Sequence, residues 1–558
     1  MNRREFLFPS KQGRSASPIN EPLQTQSNDL TPYAGPWDDA HLHHLLRRSM
    51  FGVPPAQFQA AKALGSMSAV VAKLLECADL SKVPLPAQPA PYITDFYIPN
   101  RQKDSQATIT NTGRQDNTRT QELVNWWFDL ICKENLSIRE KMTLFWTNHF
   151  VTGSTIVNST AYMYTYLQTC RANALGNFKT FAQTISTDPA MLVYLNGNQN
   201  YVTGTGKNQK SFINENFARE VMELFTLGLN DPKTGLPNYT ETDIQNSARA
   251  LTGWRPTQAA PFIGVLNDGT NGTLSLHDTG SKTFLGQTGN WGLPDIINII
   301  FEQGTPAGYT PAYFICSELY ANFVYYVPNP TVVDAMATLM LANNFDIASV
   351  MSALLMSDHF YDASVIGAQL KSPAEYMGSL VREFGLTYPA WDATDPQPPA
   401  GIDTTTTLTT YKDTNPSISI MTTVMMANAL GQALLNPPNV KGWPGAHNWI
   451  STGTFQNREN YTIGILNNSY TNAKQGWALG FNPDTYANQI ANAGGISAEL
   501  LSQALEDTSL GFTLGPLESG DLDKDIQGVY KNPNYQYNTG GVKAFALYLA
   551  GLPEFQLL

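Results

Sequence analysis

The sequence predicts a mainly α protein, a large multi-helix bundle with a small β-like excursion around 257–292. Three observations predict it. Apolar residues recur at three- and four-residue spacing in segment after segment, the period of a helix with one buried face. Helix start and stop signals stand where those segments begin and end. Alternating sequence punctuated by Gly, Asn, Thr and Asp, the mark of strands and ordered loops, is confined to one stretch.

Taken in order, residues 1–36 are rich in Ser, Pro, Gln and Asn without a period, so they read as an extended or disordered arm. From Trp37 the helical period runs through about 38–50, 55–77, 118–133, 138–152, 160–171, 178–187, 213–228 and 241–253. Ser137-x-x-Glu140 and Thr240-x-x-Asp243 read as capping boxes, and Gly228 as a helix stop. Within 257–292, Phe262-Ile263, Val265-Leu266, Leu274, Leu276 and Phe284-Leu285 carry the strand-like pattern. Helices return at about 294–303, 311–326, 331–343, 346–357 and 372–385, giving a helical core over 37–386. Pro, Asp and Thr from Tyr388 to Pro416 break the pattern, so 387–418 reads as a linker or long loop. The remainder, 419–558, reads as a helical and loop-rich segment packing on that core. It holds a helix at about 419–434 ending at Asn436-Pro437-Pro438, and weaker ones near 484–492, 497–507 and 541–550. No repeat at a fixed period is present.

Composition narrows the function. With 34 Lys+Arg against 46 Asp+Glu the net charge is −12, which argues against a broadly basic nucleic-acid binder. Charged residues make up 14% of the chain, below the roughly 25% of an average soluble protein, and uncharged polar groups take their place. That balance favours an exported protein of the periplasm or cell surface, with the cytoplasm as the alternative. No apolar run reaches the ~18 residues needed to span a bilayer, so a soluble chain without a transmembrane segment is expected. Arg3 and Arg4 resemble the twin-arginine start of an export signal, but Pro9, Ser10, Lys11 and Gln12 stand where its apolar region belongs. The signal is half present.

Cys77, Cys132, Cys170 and Cys316 form no Cys-x-x-Cys pair, which excludes a zinc ribbon or thioredoxin-type site and favours free thiols. His-Glu-x-x-His, Gly-x-Ser-x-Gly and Gly-x-Gly-x-x-Gly are missing from the sequence. Thr203-Gly204-Thr205-Gly206-Lys207 looks like a phosphate loop but lacks the upstream glycine, so it reads as an ordinary loop. His41 and His44 share a helical turn with Asp38 and could hold a metal; a solvated polar face beside Arg47 and Arg48 is the favoured reading. No motif calls for a cofactor, and a divalent metal stays open.

The candidate site residues come from four places. His149 falls on the apolar stripe of Ile138, Met142 and Phe145, so its imidazole needs a buried partner, structural or functional; Asn148 precedes it. Asn214, Glu215, Asn216, Arg219, Glu220 and Glu223 form the densest polar run. Glu215, Arg219 and Glu223 share a helix face, either as an ion-pair ladder or as carboxylates split by a guanidinium into acid and base. His277, Asp278 and Lys282 sit on the β-like excursion, where a His beside an Asp serves as base, ligand or turn. Trp443 and Trp449, in the loop from Pro437, offer rigid planar surface for a ligand or for wedging the loop onto the core.

Six segments in order resemble one bacterial family, domain of unknown function 1800, over about 37–470. They are Leu45 to Gly52, Glu140 to Phe150, Asp188 to Leu192, Asn214 to Gly228, Tyr239-Thr240-Glu241 with Ala248 to Trp254, and Pro437 to Gly445. The resemblance implies a predominantly helical, often exported protein. It also implies a neighbour from the family domain of unknown function 1501, which is similar to alkaline phosphatases and sulfatases. It implies no activity. Family members often carry a histidine where this chain has Thr147, so any two-histidine metal site of relatives is weakened here. Two expectations follow: a surface binding or scaffold component working with that phosphatase-like partner, or an envelope- or glycan-directed hydrolase using the Glu, Arg and His groups. The first is placed slightly ahead because no catalytic signature is found.

Overall fold

The computed structural model describes residues 21–85, 106–204, 210–258, 261–270, 275–388, 418–469, 471–472, 477–483, 485–486, 546–547, 550 and 553–558. Arg3 and Arg4, Thr205 to Lys207, the break from 389 to 417, the 497–507 helix and most of the 484–492 and 541–550 helices lie outside those residues. The described chain is mainly α, with eighteen helices and a few short antiparallel strand pairs.

Local signals set the helix starts. Asp38 accepts the His41 N–H to open α1 (Asp39–Ser49). The run expected at 55–77 splits into α2 (Pro55–Lys62) and α3 (Met67–Leu75), because Gly65 takes a positive φ and Ser66 then caps a new helix through the Ala69 N–H. Helices α4 (Gln106–Lys133), α5 (Arg139–His149), α6 (Ser154–Val157) and α7 (Thr160–Ala172) follow, then α8 (Phe178–Ile185) and α9 (Pro189–Tyr194). Asp188 caps α9 with proline at its first position. After a hairpin of β1 (Tyr201–Thr203) and β2 (Lys210–Phe212) come α10 (Asn216–Glu223) and α11 (Glu241–Ala250). The Thr240 and Asp243 capping box is formed in both directions.

The strand-like stretch holds two further hairpins: β3 (Trp254–Pro256) with β4 (Gly264–Leu266), and β5 (Lys282–Phe284) with β6 (Gln287–Gly289). Helices α12 (Leu293–Ile300), α13 (Tyr309–Phe323), α14 (Pro330–Ala342), α15 (Ile347–Leu355) and α16 (Pro373–Glu383) match the expected spans closely. Then come α17 (Ile418–Ala429), α18 (Thr452–Leu466) and the short pair β7 (Thr471–Asn472) and β8 (Trp477–Ala478). Helix α18 is not predicted by periodicity, because its sequence is Gly-, Asn- and Thr-rich; Ser451 and Thr454 start it as a capping box.

Helices α4, α5, α7, α16 and α17 pack on one another at the centre, while α13, α14 and α15 make a second layer. One apolar cluster runs from Leu42 to Phe555, with Trp127, Trp146, Tyr166 and Tyr376 fully enclosed. Burying each such aromatic contributes about 1.5–3 kcal/mol before entropy is counted. Residues 21–36 are ordered rather than loose. Tyr33 N–H donates to Met356 O and Asp358 N–H to Thr31 O, so this extended strap satisfies its backbone on the core, which explains its lack of any period.

Two expectations fail for one reason: charged groups lie inside. Ser137 and Glu140 form no capping box, because Glu140 is buried and its carboxylate is taken by Arg171 and by the Trp127 indole N–H at 2.8 Å. His43, His44, Arg47 and Arg48 make no solvated face; all four are buried. The loop after α15 closes over them, and its carbonyls need donors: His44 Nε2 meets Phe360 O and Arg48 Nη2 donates to Val365 O. Nearby, Lys141 donates to Glu375, and Arg47 faces Glu383.

The four cysteines are free thiols, with Cys77, Cys170 and Cys316 buried. Burial pushes the Cys132, Cys170 and Cys316 thiols up, so they act as small apolar groups.

Candidate functional site

The motif at the end of α5 ties distant elements together one residue at a time. Thr147 Oγ1 bonds back to Leu144 O inside the helix. Asn148 Oδ1 accepts the Trp443 N–H at 2.7 Å and its amide donates to Trp443 O at 3.4 Å, which pins the Pro437 to Gly445 loop onto α5. His149 Nε2 meets Phe225 O at 3.1 Å, which holds the turn following α10. Phe150 O accepts the Tyr166 hydroxyl. Gly442, at φ +77°, passes so close to Asn148 that an added Cβ would lie 2.2 Å from Asn148 Oδ1. A side chain has no room there.

A cleft of about 460 Å³ opens where these elements meet. Asn148, His149, Glu223, Trp443 and Trp449 all line it, although they lie up to 301 residues apart in sequence (449 − 148). Helix α13 supplies a second wall through Phe314, Glu318 and Asn322, spaced by four and therefore on one face, with Tyr326 just beyond the helix end. Glu375, at the first turn of α16, completes the wall behind them. Glu318 and Asn322 were not expected from the sequence. The available signal was that Glu318 is the one charged residue in the sequence Tyr309–Phe323.

The charged groups of the cleft differ in state. Glu375 is pushed up by burial, but Lys141 beside it and the Ser372 N–H more than offset this and hold its carboxyl below the ordinary range. Glu318 is solvent-exposed in area yet flanked by dense protein, as a residue in a concave wall is, and desolvation raises its pKa. Lys441 stands 3.9 Å from Glu223 and is mostly exposed, a loose pair. Glu220, one turn before and outside the lining, is buried; burial and then the Glu223 charge raise its pKa.

His149 is a brace rather than a proton carrier. Facing a carbonyl, its Nε2 must bear the proton, and desolvation lowers its pKa to about 4 despite that carbonyl. A base that weak is neutral but poorly matched to proton abstraction near neutrality. Unfolded histidine binds a proton near 6.5 and the folded one near 4, so folding excludes a proton between those values. This contributes ~3 kcal/mol that is complete above the unfolded pKa and lost as pH falls toward 4. His149→Gln, which keeps a donor toward Phe225 O, is expected to flatten the decline of Tm between about pH 7 and about pH 4. An unchanged slope in calorimetry would refute the neutral imidazole.

The other sequence candidates lie apart from the cleft lining. Arg219 pairs with Glu215 at 3.6 Å and with Glu241 at 2.8 Å on the surface, so the guanidinium does not split Glu215 from Glu223. Exposed pairs of this kind contribute about 0–1 kcal/mol. Asn214 caps the Asn216 N–H, and the Asn216 amide donates to Leu195 O. Asp278 is gripped by Arg249 through both oxygens, and Lys282 donates to Asp278 O and Gly280 O, while His277 Nδ1 rests on Thr252 O. Burial alone would raise the Asp278 pKa, but Arg249 and the Gly280 N–H lower it. That trio braces the hairpins.

His41 bonds Asp38 and the Tyr33 hydroxyl, whereas His44 turns to Phe360 O, so the two do not converge on a metal. Among the described residues no group of three or more His, Cys, Asp or Glu is placed to hold one.

The family model described as "Protein of unknown function (DUF1800)" matches residues 44–557, nearly the whole chain. The chain belongs to the DUF1800 family. No curated protein and no solved structure matches it. The segments that mark this chain as a DUF1800 protein brace the core or line the cleft. No helix among the described residues of this DUF1800 protein is long and apolar enough to cross a membrane.

Proposed function

We propose that this DUF1800 protein is an exported binding component whose cleft takes a segment of an envelope glycan, and that it works beside a phosphatase-like partner of the domain of unknown function 1501 kind. The convergence of Asn148, Glu223, Trp443 and Trp449 with Asn322 and Glu318 on one cleft supports the reading most strongly. Aromatic walls with a few amides and carboxylates suit a ligand that offers both apolar ring faces and hydroxyls. A low fraction of charged residues, 14%, and the half-present twin-arginine start support export.

The purified chain is expected to co-sediment with insoluble envelope polysaccharide, and Trp449→Ala is expected to reduce the bound fraction by about tenfold or more while the far-UV spectrum is unchanged. Equal retention of the variant would remove the cleft from the reading. Co-purification from the native envelope tests the partner: recovery of the phosphatase-like protein supports the complex, and a free monomer at physiological concentration refutes it.

The hydrolase reading keeps one specific support, the presence of Glu223 and Glu318 in the same cleft. Release of reducing ends by wild type and its loss in Glu223→Gln would favour it over binding alone.

A further inference from the structure

We infer that the cleft is selective for an amino sugar within the glycan class proposed above, and that Glu318 is the group that recognises its ammonium. This rests on that reading of the cleft and narrows it. Of the other acidic groups named in the lining, Glu375 is engaged by Lys141 and the Ser372 N–H, and Glu223 has the Lys441 ammonium 3.9 Å away. Glu318 has neither an ion pair nor a hydrogen bond among the described residues, although dense protein surrounds it. Its carboxylate is open to the cleft, and no side chain among the described residues supplies it with a positive or donating partner, so a ligand can take that place without displacing one.

The chemistry of the missing partner can be narrowed further. A divalent metal would want several carboxylate or imidazole ligands together, and no such group occurs among the described residues. An organic ammonium needs one carboxylate and aromatic neighbours. Phe314, one turn before Glu318, and Tyr326, beyond the helix end, line the cleft together with Trp443 and Trp449. Asn322, four residues on and on the same face, is placed to meet a hydroxyl next to the amine. His149, neutral and tied to Phe225 O, brings no competing positive charge.

Binding an ammonium lowers the Glu318 pKa, so affinity for the amine falls as pH drops through the raised value of the free protein. The test is calorimetric titration of the full chain with two tetramers of equal length, one of glucosamine and one of N-acetylglucosamine, and with tetralysine. The expected result is that the glucosamine tetramer binds about tenfold tighter than the acetylated one, that Glu318→Gln erases this preference, and that affinity for the acetylated tetramer changes by less than about threefold. Asn322→Ala is expected to weaken both sugars alike.

Equal binding of the two sugars, or a preference that survives Glu318→Gln, overturns the amine inference while the glycan cleft stands. Binding of tetralysine alone overturns the sugar. No binding of either tetramer overturns the amino-sugar assignment, and if envelope polysaccharide is also not retained, the cleft reading fails with it.

Discussion

Replacing Glu140 with alanine is expected to cost ~3–5 kcal/mol of stability, among the largest effects of any single change in this chain. The carboxylate is buried, and among the described residues it is the one acidic group paired with the Arg171 guanidinium, whose side chain is fully enclosed at 0% exposure. Arg171 Nε lies 3.0 Å from one carboxylate oxygen and Nη2 2.9 Å from the other, while Trp127 donates its indole N–H to the same group. Alanine leaves a buried charge and a buried donor unpaired at once. Urea denaturation checks it, as a fall in midpoint at constant slope. The double variant Glu140→Leu with Arg171→Met removes both charges and is expected to recover most of the loss, apart from ~1–3 kcal/mol for the orphaned Trp127 N–H. A single variant as stable as wild type would mean that this pair is not desolvated.

Gly442→Ala is expected to abolish ligand retention by the cleft while leaving the core folded. Its Cβ would press on Asn148 Oδ1 at 2.2 Å and Asn148 O at 2.7 Å, and φ +77° adds ~1–2 kcal/mol of strain for any residue with a side chain. The loop must then lift from α5 and carry Trp443 with it. Limited proteolysis within 437–449 should accelerate, and binding to envelope polysaccharide should fall at least tenfold, about 1.4 kcal/mol. In an Asn148→Ala background the added methyl should do less damage, so the two changes should couple. Independent effects would show that the contact does not hold the loop.

The sequence reached the helices because amphipathic periodicity is written into every turn: α12 through α16 fall within a few residues of their expected spans. It failed at α18, whose residues are polar and whose helicity rests on its Ser451 cap and on packing, with Arg458 sealed beneath it. The buried Arg47, Arg48 and Glu140 were illegible for a related reason. Charge suggests solvent, and only a closed shell of carbonyls and counter-ions reverses that preference.

Candidate residues divided in the same way. Asn148, His149, Glu223, Trp443 and Trp449 stood out as polar or aromatic groups in marked segments, and they meet at the cleft. Glu215, Arg219, His277, Asp278 and Lys282 stood out equally and serve as ion pairs and hairpin braces. Residue type reports what a group can do. Whether it faces water, a partner or a hollow depends on chain segments hundreds of residues away.

By itself the sequence determined a mainly helical protein of the DUF1800 family with free thiols and no long apolar span, because composition, spacing and local caps act over a few residues. Tertiary structure alone decided which charges are buried, that Asn148 clasps Trp443, and that Glu318 lines an open cleft without a partner among the described residues. Those are facts of long-range packing, in which burial and pairing energies depend on neighbours that no local pattern names.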